Sequence, residues 1–232
     1  MTDIVANLAK VQARIAAACE RAGRSYEEVR LLPVTKFHPA AALVAAHSAG
    51  ITRFGENRVQ EIEAKASELT GSGIQFALIG HLQTIKVNKV AGLIEEFQAL
   101  DSVKLAAGLD RRLQALGRSI DVMIEVNSSG EDSKFGLRPD DVKDFAAQLV
   151  HFDCLNPIGI MTIAANTYDQ TRLRHCFKLM ADLRNRLQEE QLAGSQWPEL
   201  SMGMSNDYEL AIECGATCVR GGTAIFGARN LA

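Results

Sequence analysis

The chain has 232 residues, of which 47% are hydrophobic, so it can bury a sizeable core as one large domain or two small ones. A formal net charge of -3, with no long run of one sign, argues against a nucleic-acid or membrane-surface partner. The apolar stretches are short and the N-terminus is amphipathic, so neither a membrane span nor a secretory signal is expected. The five cysteines form no CxxC pair, which favours reduced thiols in a cytoplasmic protein and disfavours a zinc site.

The first predicted element is a helix that precedes a repeating pattern. Ile4, Leu8, Val11 and Ile15 fall on one face at helical spacing, and Gly23 suits the position after the helix end. Short apolar runs that predict strands then alternate with helical patterns. The eight strand candidates are LLPVTK, ITRFGE, IQFALIG, FQALDS, IDVMIEVN, CLNPIGIM, ELSMGM and ATCVRGG.

Helical patterns separate these strands. They cover residues 39–48, about 57–69 and 82–96, and a fourth ends near Leu116. Pro139 opens the next helix after the polar loop SSGEDSKFGLR. TYDQ, residues 167–170, resembles a capping box for a long helix, and a short helix ends near Gly215.

The strand candidates are apolar runs rather than polar–apolar alternations, which is typical of strands buried on both faces. Alternation with helices predicts right-handed parallel crossovers. Eight such units in a chain of this length predict an α/β fold, a single (β/α)8 TIM barrel with an extra N-terminal helix, as one domain over residues 1–232. An open, doubly wound sheet is the alternative.

Active sites of barrels lie at the C-terminal ends of the strands, and polar residues accumulate at those ends here. Lys36 follows the first strand, and Asn57, Asn127 and Met161 with Thr162 lie at the ends of later strands. The segments GMSND and RGGTAIFG follow strands seven and eight, where barrels commonly bind phosphate through backbone amides. The glycines could instead serve tight turns alone, but the two segments together predict a phosphate site.

Lys36 has two interpretations. It is either a lysine that forms a salt bridge at the barrel rim or a nucleophile that forms a Schiff base with an aldehyde. An amine facing a phosphate site suits a ligand with an aldehyde at one end and a phosphate at the other. Pyridoxal 5'-phosphate (PLP) and a sugar phosphate both fit that description.

Seven segments, in order and spacing, resemble the pyridoxal phosphate homeostasis proteins, a family similar to the barrel domain of alanine racemase. They are VTKFHPA, RFGENRVQE, IGHLQTIK, SKFGL, GIMTI, SMGMSND and VRGGTAIFGAR, which together extend over almost the whole chain. The resemblance implies that PLP is bound as an imine to Lys36. It also implies that Arg220 faces the pyridine nitrogen and keeps it unprotonated, because an arginine does not give up its proton.

The remaining site residues are carried over from the same resemblance. Asn57 is expected beside the ring, and Ser201 is expected to hold phosphate together with the backbone near Met204 and Ser205. The implied cofactor-binding set is Lys36, Asn57, Met161, Ser201, Met204, Ser205, Arg220, Gly222 and Thr223, with Lys134 and His38 as secondary positions and no metal ligand. Three positions depart from the family pattern: His38 replaces a lysine, Ala77 a histidine and Ile85 an asparagine.

Three functions follow from these patterns. The first is a PLP-binding protein without a dedicated turnover reaction, which holds the cofactor and passes it to apo-enzymes. The second is an amino-acid racemase or another PLP enzyme, and a racemase needs a base on each face of the reacting carbon. The third is a Schiff-base aldolase, with Glu56 or Glu125 as its acid or base. Glu125 is expected to lie mid-strand, point into the barrel and pair with a lysine. The first is favoured because Arg220 weakens the ring as an electron sink. A monomer is expected.

Overall fold

The sheet consists of eight parallel strands that curve into a barrel. The computed structural model describes residues 2–227, so Met1, the last two residues of VRGGTAIFGAR and the ends of the expected domain lie outside the described part. The strands are β1 (Arg30–Pro33), β2 (Arg53–Glu56), β3 (Gln75–Leu78), β4 (Glu96–Leu100), β5 (Ile120–Glu125), β6 (Leu155–Met161), β7 (Glu199–Ser201) and β8 (Cys218–Gly221).

The strand order shows how the barrel closes. Neighbouring strands run β1-β8-β7-β6-β5-β4-β3-β2, and all of the ladders are parallel. The remaining seam between β1 and β2 is joined by a parallel bridge from Val34 to Gly55, and the Thr35 amide donates to the Gly55 carbonyl at 3.0 Å. The barrel prediction is therefore confirmed, and the open sheet is excluded.

The helices pack around the outside of this barrel. They are α1 (Ile4–Arg21), α2 (Ala40–His47), α3 (Val59–Glu68), α4 (Val87–Val90), α5 (Val103–Leu116), α6 (Val142–Gln148), α7 (Gln170–Glu189), α8 (Tyr208–Glu213) and α9 (Thr223–Phe226). The extra helix α1 is capped by Asp3, whose carboxylate accepts from the Ala6 amide at 3.0 Å. It buries Leu8, Val11 and Ile15, as its periodicity predicts, and contacts α2, α8 and α9. No helix among the described residues is both long and apolar enough to cross a bilayer.

Two local predictions were wrong. The helix expected over 82–96 is only a 3-10 turn followed by α4, because the Leu93 amide turns back to the Val90 carbonyl at 2.8 Å and the chain then enters β4. The cap of α7 is Asp169 rather than Thr167. The Asp169 carboxylate accepts from two helix amides, whereas the Thr167 hydroxyl accepts from the Asp169 amide.

The interior of the barrel differs from the space between the sheet and the helices. The outer layer is an apolar core, but inside the barrel a small apolar cluster lies beside buried polar groups. The cluster consists of Leu32, Val34, Ala77, Ile79 and Cys218. Ala77, where the family pattern has a histidine, thus forms part of the apolar lining. We call the ends of the strands that carry Lys36 and Arg220, with the loops after them, the mouth of the barrel.

Candidate functional site

Lys36 lies at the mouth immediately after β1, and the residue before it is held firmly. The Thr35 hydroxyl donates to Glu56 Oε1 at 2.5 Å, and the Thr35 carbonyl accepts from Lys65 Nζ at 2.8 Å. Lys65 also pairs with Glu56, and all three partners are buried. Together with the bridge between β1 and β2, these bonds fix the backbone from which the half-buried Lys36 projects.

The two residues after this lysine are also fixed. Phe37 adopts φ +66°, a left-handed conformation that is costly for an aromatic residue. Its amide donates to Glu61 Oε2 at 2.7 Å, and the Arg58 guanidinium lies 5.0 Å from its ring. The His38 ring lies 5.3 Å from the ring of Phe226 in α9, so the loop after β1 contacts the helix after β8.

Arg220 stands at the top of a chain of buried hydrogen bonds inside the barrel. Its Nη1 donates to Ser201 Oγ at 2.6 Å and its Nη2 to the Thr162 carbonyl at 2.7 Å. Ser201 Oγ donates to Gln98 Oε1 at 2.7 Å, and Gln98 Nε2 donates to Glu96 Oε1 at 2.5 Å. Burial lowers the pKa of the guanidinium, but an arginine remains charged across the ordinary pH range.

These bonds assign Ser201 a place in the barrel interior. Ser201 is fully buried, and its only proton is donated to Gln98 while it accepts from Arg220. Direct binding of phosphate by Ser201 therefore stays a prediction. Its hydrogen bonds favour a different role, in which the hydroxyl orients the guanidinium.

The loop after β7 carries the first part of the expected phosphate site. Gly203 has φ +88°, and a side chain there would lie 2.6 Å from the Ala211 methyl group, so the turn onto α8 requires glycine. The Met204 amide donates to Asp207 Oδ1 at 2.6 Å and is already used. The Ser205 amide donates to no other described residue and remains available to an anion.

The loop after β8 supplies the second part. Gly222 precedes α9, which begins at Thr223, and the Thr223 side chain is exposed at the mouth. No backbone hydrogen bond among the described residues uses the Thr223 amide. Unpaired amides after both β7 and β8 fit a phosphate group, since amides are the donors that phosphate sites use most.

Asn57 and Met161 are the other two expected contacts. Asn57 follows β2 and is half-buried; a side chain at Gly80 would lie 2.3 Å from the Asn57 carbonyl oxygen. The absence of a side chain at position 80 thus allows the loops after β2 and β3 to meet. Met161 ends β6 in register with Ser201 and is buried.

The two acids considered for an aldolase have different surroundings from those expected. Glu56 is committed to Lys65 and Thr35. Glu125 is the last residue of β5 rather than a mid-strand residue. The charges that shift its pKa are Asp101 and Arg220, and no lysine is among them.

The secondary positions lie in the loops around the mouth. Lys134 Nζ donates to the carbonyls of Ile163 and Ala164, at 3.3 and 2.5 Å, and so connects the loop after β5 to the loop after β6. The His81 ring stacks on Phe135 with 4.1 Å between ring centroids. Lys134 is therefore partly occupied in holding the loops together, and the stacking of His81 on Phe135 adds a contact between the loops after β3 and β5.

Gln98 and the Thr162 carbonyl are the groups around Arg220 that sequence patterns did not assign. Gln98 is a polar residue inside the otherwise apolar segment FQAL, which is a usable signal. Its importance depends on Ser201, which lies 103 positions later in the chain.

Comparison with known proteins identifies this architecture. The family model described as "Alanine racemase, N-terminal domain" matches residues 6–230. The pyridoxal phosphate homeostasis protein of Haemophilus influenzae is 37% identical over 230 residues, with 98% of this chain and 97% of the relative covered.

Two solved structures are similar over nearly their full length. A protein of unknown function from Bifidobacterium adolescentis has a TM-score of 0.92 and 38% identity, with 97% of this chain and 94% of that chain covered. PipY of Synechococcus elongatus, solved with PLP bound, has a TM-score of 0.84 and 35% identity, with coverage of 97% and 100%. The chain described here therefore belongs to the pyridoxal phosphate homeostasis proteins, whose barrel is that of the N-terminal domain of alanine racemase.

Proposed function

We propose that this chain binds PLP at the mouth of the barrel and holds it for cellular use without a dedicated turnover reaction. One observation carries the proposal: a strand-end lysine, a buried arginine and unpaired amides after β7 and β8 belong to the same end of one barrel. The binding of PLP by the relative PipY and the names of the curated relatives support it. Residues 1–232 act as one PLP-binding domain.

Each proposed contact has a chemical role. When bound, PLP supplies an aldehyde that bonds to amines and a ring that accepts electrons. Lys36 provides the amine that attaches the cofactor, and its fixed neighbours Thr35 and Phe37 limit the directions in which it projects. The amides of Ser205 and Thr223 and the Thr223 hydroxyl donate to phosphate. Gly222 and the backbone at Met204 shape the loops, and Asn57 lies beside the ring.

Arg220 restricts the reactions that bound PLP can support at the mouth. Ser201 and the Thr162 carbonyl accept from its two terminal nitrogens and hold the guanidinium in one orientation. A permanent cation facing the ring nitrogen leaves that nitrogen without a proton, and an unprotonated ring stabilises a carbanion poorly. The arrangement suits storage of a reactive aldehyde better than turnover.

A racemase reading is disfavoured by the three tyrosines. Tyr208 is buried with its ring 5.2 Å from the Arg14 guanidinium of α1, outside the barrel. Tyr26 precedes β1, away from the mouth, and Tyr168 is almost completely exposed. Within residues 2–227, no tyrosine is therefore buried at the mouth as a second base.

We further propose that the protein acts as a cytoplasmic monomer and hands PLP to apo PLP-dependent enzymes by transient contact. Free cysteines at all five positions are compatible with a reducing compartment. The small net charge gives no reason to expect a nucleic-acid partner.

The test is to add PLP to the purified protein, reduce with borohydride and map the modified residue by mass spectrometry. A pyridoxyl group on Lys36 alone is expected. Lys36→Met should remove the adduct, whereas Lys89→Met, which changes a lysine of α4, should leave it unchanged. Label scattered over surface lysines would reject the cofactor site and favour a sugar-phosphate enzyme.

Assays of amino-acid turnover on the same sample separate holding from catalysis. Only trace racemase or transaminase activity is expected. Turnover of alanine or another amino acid at roughly 1–10³ s⁻¹ would contradict the holding function and establish an enzyme.

A further inference from the structure

Glu125 is a buried acid of the mouth that the proposed contacts do not use. It is the last residue of β5. Asp121 of the same strand lies 3.9 Å from Arg53 across the interior. Residues two apart on a strand share a face, so Met123 and Glu125 face the interior as well.

One oxygen of this acid has nothing to bind. Glu125 is only 5% exposed, and among the described residues Oε2 has no hydrogen-bond partner and almost no accessible surface. A buried polar atom without a partner costs free energy, and native structures rarely leave one unsatisfied. Glu125 is the last residue of its strand and lies at the mouth, so we infer that a bound ligand supplies the missing hydrogen-bond partner of Oε2.

Burial and a neighbouring acid together favour the protonated form of Glu125. Asp101, which directly follows β4, repels its negative charge, and Arg220 of β8 attracts it. Arg220 is also attracted by Asp207, and its terminal nitrogens donate to Ser201 and Thr162. His81 Nδ1 lies 3.4 Å from Asp101 Oδ2. Burial, followed by the repulsion from Asp101, raises the pKa of Glu125 to about 7, although Arg220 opposes the shift.

We propose that Glu125 is a further ligand-contacting residue of the mouth, and that it acts as a neutral carboxylic acid that donates a hydrogen bond to an acceptor atom of the bound cofactor. This inference rests on the proposed function. The phosphate oxygens, the phenolic oxygen attached to the ring and an unprotonated ring nitrogen of PLP are all hydrogen-bond acceptors. A carboxylate beside such a ligand repels it, whereas a protonated carboxyl group held in an apolar site donates to it.

As a consequence, ligand affinity is linked to the protonation of Glu125. A ligand that binds only the protonated form loses affinity as the pH rises above the pKa of Glu125, by up to about tenfold per pH unit. Glutamine in the same place is always neutral and always a donor. Glu125→Gln should therefore bind the ligand with an affinity that does not depend on this titration.

The experiment uses pyridoxine 5'-phosphate, which carries an alcohol in place of the aldehyde and so forms no bond with Lys36. Its Kd is measured for the wild-type protein, Glu125→Gln and the control Glu189→Gln, an exposed position of α7, at about pH 6 and about pH 8.5. Wild type and Glu125→Gln should agree within about twofold at the lower pH. At the higher pH Glu125→Gln should bind about tenfold tighter, while the control follows the wild type.

Each other outcome overturns the inference. Equal affinities of wild type and Glu125→Gln at both pH values would mean that Glu125 does not contact the ligand. Weaker binding by Glu125→Gln at about pH 8.5 would mean that the ionised form pairs with a cationic group. Absence of binding by all three proteins would reject the proposed function, and the inference with it.

A second measurement on the ligand-free protein tests the proton itself. The folded-state pKa of Glu125 lies above its unfolded-state pKa. At a pH between these two values, unfolding releases a proton, so the wild type loses stability as the pH rises. The ratio of the unfolding equilibrium constants of wild type and Glu125→Gln should increase about tenfold per pH unit between about pH 5 and pH 7, then stay constant. A ratio independent of pH would show that Glu125 is not protonated, and the inference would fail while PLP binding stood.

Discussion

The two ends of the barrel interior contain similar charged residues but differ in whether the buried carboxylate has partners. At the end opposite the mouth, Glu96 accepts from Arg30 at 2.9 Å and from Arg53 at 2.5 Å, and Arg30 also pairs with Glu199 at 2.9 Å. At the mouth, Glu125 leaves one oxygen without a described partner. The first end is completed by its own side chains, whereas the second leaves polar groups for a ligand.

The two glutamates show the physical difference. Both are almost fully buried, and burial by itself raises the pKa of each carboxyl. For Glu96 the attraction of Arg30 and the hydrogen bond from Gln98 overcome burial and hold the pKa below its usual value. For Glu125 the nearest acid adds to burial, and the pKa rises to about 7. Partners, rather than burial, decide which glutamate is an ion.

The largest expected effect comes from breaking the completed end. Glu96→Gln leaves Arg30 and Arg53 without their shared carboxylate, and should lower the free energy of unfolding at neutral pH by about 3 kcal/mol, as for a buried ion pair that loses one partner. The folded-state pKa of Glu96 is depressed, so its contribution is present above the unfolded-state value and is lost as the pH falls through the folded-state value. Urea denaturation at about pH 7 and about pH 4 should show the difference shrinking.

The neighbouring residue is the control for that change. Glu95 pairs with Arg118 at 2.6 Å on the surface, so Glu95→Gln should cost less than about 1 kcal/mol. Equal effects of Glu95→Gln and Glu96→Gln would contradict the importance given to the interior pairs.

A second substitution tests Gln98, whose hydrogen bonds connect the two ends of the barrel interior. Gln98→Met keeps the length of the side chain but removes the bonds to Glu96 and Ser201, and should cost about 2 kcal/mol of folding free energy. Because Arg220 then loses its oriented acceptor, the absorption spectrum of bound PLP should shift toward that of an Arg220→Lys variant. Gln75→Met, at an exposed position of β3, should change neither quantity. An unshifted spectrum would mean that Gln98 supports the fold alone.

The third change probes the phosphate loops without disturbing the interior. Thr223 is exposed, so Thr223→Ala should leave the free energy of unfolding of the ligand-free protein within about 0.5 kcal/mol of wild type. Loss of a hydrogen bond to a charged phosphate costs about 1.5 kcal/mol, so the Kd for PLP should rise about tenfold. The Kd values are measured by fluorescence titration. Thr70→Ala, which removes a hydroxyl remote from the mouth, serves as the control. Unchanged PLP affinity in Thr223→Ala would reject the contact between the Thr223 hydroxyl and the phosphate.

The smallest effect is expected at Lys134. Lys134→Ala removes two bonds to backbone carbonyls and a 3.6 Å ion pair with Glu131, and should cost about 1 kcal/mol of stability. The Kd for PLP should stay within about threefold of wild type, because the amine is occupied by the loop after β6. A much larger loss of PLP affinity would show that Lys134 contacts the cofactor directly.

Sequence patterns were sufficient for the architecture. The strands of the barrel are short runs of mainly buried residues. Hydrophobic period and turn residues along the chain reveal such runs without knowledge of their neighbours. Lys36 was recognised for the same local reason, since an amine after a buried strand is unusual. The errors near residues 82–96 and at Thr167 concern helix ends, where small differences in hydrogen bonding decide the boundary.

The tertiary structure alone decided which polar groups have partners. Gln98 meets Ser201 across 103 positions of sequence, and Ser201 meets Arg220 only because β7 and β8 are adjacent in the barrel. Glu96 and Glu125 are both glutamates at strand positions, and nothing along the chain states that the first faces two arginines and the second an aspartate. A carboxyl group's charge depends on what lies within a few ångströms of it, and in a closed barrel those neighbours come from strands far apart in the sequence.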